Sequence, residues 1–164
     1  MTDVVIDTNV AVVANDRSKS YPAGCPLACI ERLRVARSRE RIVLDLDWEI
    51  LEDYGRNLKS KGQPGPGDAF YHHVLRQFGN DKFTRLVRLR CDSKGGYEAF
   101  PTDGRLSKFD QSDRKFVAAA IVAGAQVLNA VDSDWRDYEA ILKQHGVAVQ
   151  FVCGVEAAIR GSQS

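Results

Sequence analysis

Val4-Val5-Ile6-Asp7-Thr8-Asn9-Val10 begins with an apolar β-branched run, meets a carboxylate and a Thr-Asn pair, and returns to valine. The apolar run reads as a buried strand. Strands buried on both faces belong to parallel sheets covered on both sides. This one ends on Asp7. A carboxylate closing an apolar strand is costly to bury unless something positive sits beside it. What neutralises Asp7 is the question put to the rest of the chain.

Outward from this stretch, strands and helices alternate. Ile42-Val43-Leu44, Gln126 to Ala130 and Val147 to Val152 read as further strands. Helical spacing places Leu27, Ile30, Leu33 and Ala36 on one face of a helix that starts near Pro26. Ile50, Leu51, Tyr54 and Leu58 mark a second helix, with Asp47 as its expected N-cap. Phe70, Val74, Leu75 and Phe78 mark a third, opened by Asp68. Phe116 to Ala123 form a small-residue helix that Gly124 ends, and Asp137 to Gln144 form the last. Val87, Leu89 and Cys91 alternate with Arg88 and Arg90, which predicts a strand returning through Lys94-Gly95-Gly96 to Tyr97–Phe100. The alternation predicts an α/β fold: three α/β/α layers around a central, mostly parallel sheet. The Gly/Pro run from Lys61 to Gly67 reads as a loop within one domain. A single domain over 1–164 is expected, with a longer insertion at about 62–103.

Composition excludes more than it assigns. The chain has 164 residues, 44% hydrophobic and 27% charged, with a net charge of +1. No global field advertises a polyanionic partner. Nucleic-acid binding would need a local patch, and two candidates are the arginines at 32, 34, 37, 39 and 41, or Arg88 and Arg90. The four cysteines are Cys25, Cys29, Cys91 and Cys153. The gap between Cys25 and Cys29 is not the two-residue zinc-knuckle gap, and reduced thiols are expected. His72 and His73 are adjacent and point about 100° apart on a helix, so surface or satisfied histidines are expected. No signal peptide or roughly 20-residue apolar span is recognisable, which leads to an expectation of a cytoplasmic protein without membrane association.

The acids carry the chemistry. Open parallel sheets place their sites beyond the C-terminal ends of the strands. Asp7 lies there, as do Asp132 and Asp134 after the strand ending near Ala130. Asp110 and Asp113 start the helix that feeds that strand, and Glu49, Glu52 and Asp53 come early in the helix after the second strand. Each acid alone could be a helix cap. Together they repel: two carboxylates about 4 Å apart cost roughly 4 kcal/mol at an effective dielectric of 20. Apart from Arg114 and Arg136, nothing basic in these motifs is placed to cancel them. An all-oxygen acid cluster selects hard divalent ions, Mg²⁺ or Mn²⁺, and suits metal-assisted hydrolysis of a phosphodiester.

These blocks resemble the PIN domain, the metal-dependent ribonuclease fold of VapC-type toxins and free-standing RNA-processing nucleases. The matching stretches are Val5 to Val10, Ile50-Leu51-Glu52-Asp53-Tyr54, Asp113 with Phe116–Ala120, and Gly124-Ala125 running into Asp132-Ser133-Asp134-Trp135. The resemblance implies Asp7, Asp113 and Asp132 as metal ligands, with a helix acid from Asp53, Glu49 or Glu52. It gives Asp134 and Asp110 secondary roles and has Asn9 hold the Asp7 turn. It implies an RNA substrate, possible pairing with an antitoxin protein, and possible homodimerisation. Two positions depart from the family pattern: Asp53 stands where a Glu is usual, and Ala130 where a Thr or Ser is usual. Two other readings compete. One is the same fold with a degraded site, acting as an RNA- or protein-binding module. The other is a phosphatase- or receiver-type enzyme, against which stands Asn9 two residues after Asp7.

Overall fold

The computed structural model describes residues 1–16, 20–59, 61–131 and 133–154. Five parallel strands form one sheet: β1 (Thr2–Ile6), β2 (Glu40–Asp45), β3 (Thr84–Val87), β4 (Gln126–Asn129) and β5 (Val149–Phe151), in the order β3-β2-β1-β4-β5. Val4, Val5 and Ile6 of β1 are fully buried, as are Ile42, Val43 and Leu44 of β2 and Val127 and Leu128 of β4. Those runs occupy the centre, as continuous apolar strands in a covered parallel sheet do. Six helices complete the α/β/α sandwich: α1 (Thr8–Ala14), α2 (Gly24–Arg39), α3 (Glu49–Asn57), α4 (Pro66–Arg76), α5 (Arg114–Ala123) and α6 (Ser133–Gln144).

Strand order fixes the layers. The chain moves from β1 to β2 to β3 in one direction, then crosses back past β1 to β4 and on to β5. Parallel crossovers are right-handed, so this reversal puts α5 and α6 on the face opposite α1 to α4. The helices of the first layer pack on one another, α1 against both α2 and α4. The second layer rests on Phe116–Ala120 of α5, where alanines bring the helix close to the sheet. The reversal also makes a switch point between β1 and β4, and open α/β sheets bind ligands at such crevices.

Several local expectations shift. The apolar run after Asn9 is helix α1, not a continuation of the strand. The strand placed at Val87–Cys91 is instead Thr84–Val87, paired in parallel with β2 from Ile42↔Thr84 to Asp45↔Val87. The alternation beyond it is real in burial, with Leu89 buried and Arg88 and Arg90 exposed, but its pairing is a single antiparallel bridge, Cys91↔Tyr97. The Gly/Pro segment packs onto the domain. The Gly67 N–H donates to Asn15 Oδ1 at 2.7 Å, and a Cβ on Gly67 would lie 2.0 Å from the Ala11 carbonyl oxygen. Only glycine lets α4 start this close to α1. Asp68 does not open α4 but sits in its first turn, accepting from the N–H groups of Lys59 and Gly65.

Cysteine pairing is the clearest correction. Cys25, at the start of α2, and Cys153, just after β5, form a disulfide. Cys29 and Cys91 are the free thiols. A separation of 128 residues hides the pairing from any spacing rule. Among the described residues, no helix is long and apolar enough to cross a membrane.

Two outcomes follow from this packing. Gly67→Ala forces α1 and α4 apart and should destabilise the protein by about 2 kcal/mol in urea unfolding, within the usual range for overpacking. His73 of α4 is 8% exposed, with its ring edge-on to Phe83 at 5.6 Å. Burial, reinforced by the positive charges of Arg37 and Arg76, pushes its pKa from 6.5 down to about 4. Between those values the unfolded chain holds a proton that the folded chain does not, so stability should fall as pH falls from 6.5 to 4. His73→Gln should flatten the urea midpoint across that window.

Candidate functional site

Asp7 ends β1 and caps α1. Its backbone N–H donates to the Leu128 carbonyl at 3.0 Å, which extends the β1–β4 ladder by one residue. Its carboxylate accepts from the Asn9 N–H at 2.9 Å, and the residue is 4% exposed. The positive end of the α1 dipole therefore faces this buried acid. Asn9 also reaches across the switch point, its Oδ1 accepting the Ala130 N–H at 3.0 Å. Ala130 thus meets Asn9 through its backbone, in the segment leading to Asp132.

The end of β2 repeats the device. Asp45 is fully buried and accepts from the N–H groups of Glu49 and Ile50 at 3.0 and 2.8 Å. It caps α3 in place of the expected Asp47. Trp48 makes the tight entry possible with a left-handed backbone, φ 68° and ψ 16°. Outside glycine such a conformation is uncommon, and its indole stays half exposed over Phe78 with ring centroids 5.3 Å apart.

Among the helix acids, Asp53 points into the crevice. It accepts from Thr8 Oγ1, next to Asp7, and pairs with Lys115 Nζ at 2.9 Å, two residues beyond Asp113. Arg56 adds a third contact at 3.1 Å. Burial pushes the Asp53 pKa up, but the Thr8, Lys115 and Arg56 interactions outweigh it and hold the carboxyl below its usual value. Glu49 accepts instead from the Tyr97 hydroxyl at 2.8 Å, and Glu52 is exposed. Tyr54 ties the helix to the strand, its buried hydroxyl donating to the Ile6 carbonyl at 2.7 Å. Burial, together with the charges of Asp7, Asp53 and Asp45, drives the Tyr54 pKa well above 10.

Asp113 stands at the N-terminus of α5, half-buried. Asp110 caps the turn before it, accepting from the Ser112 N–H and Oγ at 2.8 Å. Asp134 is exposed in the first turn of α6. Asp132 lies outside the described residues. Among the described residues, the group of three or more His, Cys, Asp or Glu side chains close enough to share an ion is Cys25, Cys29 and Cys153, not the rim acids.

The expectation that nothing basic cancels these acids is overturned by Lys115. Its side chain is 7% exposed, spanning Asp53 and the Ser112 carbonyl. Sequence reasoning passed it over because it lies one residue after Arg114 in a polar helix start. Arg114 turns away, donating to the carbonyls of Ser107 and Phe109, and Arg136 donates to the Gly154 carbonyl. Three of the five arginines at 32, 34, 37, 39 and 41 are also engaged elsewhere. Arg32 pairs with Glu40, Arg34 with Glu31, and Arg41 with Asp3, where Arg85 joins it. Asp3 and Glu40 lie at the N-terminal ends of β1 and β2, away from the acidic rim. Arg88 and Arg90 follow the C-terminal end of β3 and lie on the rim side, exposed.

Comparisons with protein-family models, characterised proteins and solved structures give no match to this chain. The architecture and the rim acids are therefore the basis for a functional reading.

Lys115→Met leaves Asp53 half-buried without its closest cation. Breaking such a pair should cost about 2–4 kcal/mol in urea unfolding, with part of it recovered when Asp53→Leu is added.

Proposed function

We propose that this chain is a PIN-type endoribonuclease that uses Mg²⁺ or Mn²⁺ at the rim between β1 and β4. The observation that carries this reading is the position of Asp53. One carboxylate touches Thr8, beside Asp7, and Lys115, beside Asp113, so three sequence-distant acidic blocks meet at the switch point. Asn9 draws the segment before Asp132 to the same place. The donor set is all oxygen, which suits a hard divalent ion.

Asp7, Asp53 and Asp113 do not stand close enough here to share an ion; they would have to draw together around it, with Asp132 completing the set and Asp134 or Glu49 contributing at its margin. The ion supplies Lewis-acid activation of water and charge neutralisation at a phosphodiester. The protein's own part is to hold the carboxylates: the α1 N-terminus and Asn9 orient Asp7, and Thr8 and Lys115 orient Asp53. Lys115 keeps Asp53 ionised and is the cation that an incoming metal has to displace. RNA would approach over Arg88 and Arg90. A neighbouring groove of about 420 Å³ sets Lys94, Tyr97, Phe100 and Arg114 beside Asp92 and Asp103, so it offers a single strand aromatic faces rather than net positive charge. Toxin–antitoxin pairing, homodimerisation and a cytoplasmic setting belong to the same proposal, and the Cys25–Cys153 disulfide makes the last depend on redox state.

One observation favours the alternative of a non-catalytic RNA- or protein-binding module. Lys115 already offsets Asp53, as a self-satisfied site would. Metal titration separates the two. The nuclease reading expects Mn²⁺ to bind near one equivalent by calorimetry and RNA cleavage to require it. Asp7→Asn should reduce cleavage at least 100-fold while leaving the thermal midpoint equal or higher. An Asp7→Asn protein cleaving at the parental rate would refute the metal-site reading, and absence of Mn²⁺ binding would favour the binding module.

A further inference from the structure

Cys25 and Cys29 stand one turn apart on α2 and share a face, and Cys153 meets them from the end of β5. Their sulfurs lie within 4.8 Å of one another, with Cys29 Sγ 3.8 Å from Cys153 Sγ. Cys25 is 1% exposed, Cys29 is fully buried and Cys153 is half-buried. Two of these sulfurs form the disulfide, so the disulfide alone leaves the position of the third unexplained. Thiol–disulfide exchange is a poor use for it. Cys29 is fully buried, and a thiol enclosed in apolar surroundings is a poor attacker of a neighbouring disulfide.

A metal ion removes that obstacle because it displaces the thiol protons itself. We propose that the reduced cluster of Cys25, Cys29 and Cys153 is a binding site for a thiophilic divalent d¹⁰ cation, zinc(II) or its softer analogue cadmium(II). The donor chemistry and the charge agree. Three sulfurs select soft or borderline ions over Mg²⁺ and Mn²⁺. Three thiolates around a divalent ion leave a net charge of −1, whereas a monovalent ion would leave −2 in a mostly buried place, at a larger desolvation penalty. Cys153 is the most exposed of the three, so water or an outside donor could complete the coordination from its side.

Two balanced steps describe the change. A dithiol reductant converts the Cys25–Cys153 disulfide into two thiols and itself becomes a disulfide. The cation then exchanges for three protons, one from each cysteine. Disulfide and metal are thus mutually exclusive occupants of one site, and both tie α2 to the end of β5.

The test uses the whole chain, reduced with a phosphine, freed of reductant without oxygen and titrated with Cd²⁺. Sulfur-to-cadmium charge transfer in the ultraviolet reports thiolate ligation, and competition with a chromophoric chelator gives the zinc affinity. One equivalent should bind with proton release that grows as pH falls. Cys29→Ser should weaken binding at least tenfold, Cys91→Ser should leave it unchanged, and the oxidised protein should show no charge-transfer band. Cys29→Ala, checked by circular dichroism, guards against a fold defect caused by a buried hydroxyl. Unaltered binding in both Cys29 variants, or no charge-transfer band in the reduced parent, would overturn the proposal. Asp7→Asn should leave the band intact, which separates this site from the acidic rim.

Discussion

The fold depends on how buried carboxylates at strand ends are satisfied. Asp7 and Asp45 close two neighbouring interior strands, β1 and β2, are almost fully buried, and accept from the N–H groups that open the next helix. A helix N-terminus presents unsatisfied donors and roughly half a positive charge, so it serves a carboxylate where no cation reaches. The consequence is geometric. Each strand must turn sharply into its helix at the same edge of the sheet, so the acids are collected on one rim by the requirement that buries them. The left-handed Trp48 shows how tightly that turn is drawn at β2.

Asp53 and Lys115 add a second constraint across the sheet. α3 and α5 lie in opposite layers, and this pair joins them over the end of β1. Tyr54 anchors the same helix to the Ile6 carbonyl. The crevice between β1 and β4 is thus braced from both faces by side chains that belong to the acidic blocks. Asp53 is both brace and candidate ligand, so its loss would loosen the framework as well as the site.

Much of this was legible in the sequence, and the exceptions have physical causes. The apolar runs of β1, β2 and β4 announce a covered parallel sheet because central parallel strands lack the alternation that a half-exposed strand keeps. The edge strand β3 starts three residues and ends four residues earlier than its pattern suggests: Leu89, beyond its end, is still buried, so the alternation outlasts the ladder. Asp45 was missed as a cap because Trp48, a residue that rarely adopts the left-handed conformation, occupies the turn. Asp53 could not be separated from Glu49 and Glu52, since its partners Thr8 and Lys115 are 45 and 62 residues away. The disulfide was hidden for the same reason, its halves brought together only by the sheet order.

The two clusters are linked through one short path. The Cys153 N–H donates to the Ala130 carbonyl at 3.5 Å, and the Ala130 N–H donates to Asn9, whose own N–H holds Asp7. Whatever joins Cys153 to α2 therefore restrains the loop after β4 that leads to Asp132. On the proposed metal-site reading, Lys115 and an added cation would compete for the same carboxylate. The tighter Lys115 holds Asp53, the more stable the metal-free protein would be and the weaker any metal affinity at that site, since an ion would first have to replace the contact. Thr8 would escape this opposition: its hydroxyl donates to Asp53 beside Lys115, and it could go on orienting the acid if an ion supplied the positive charge instead.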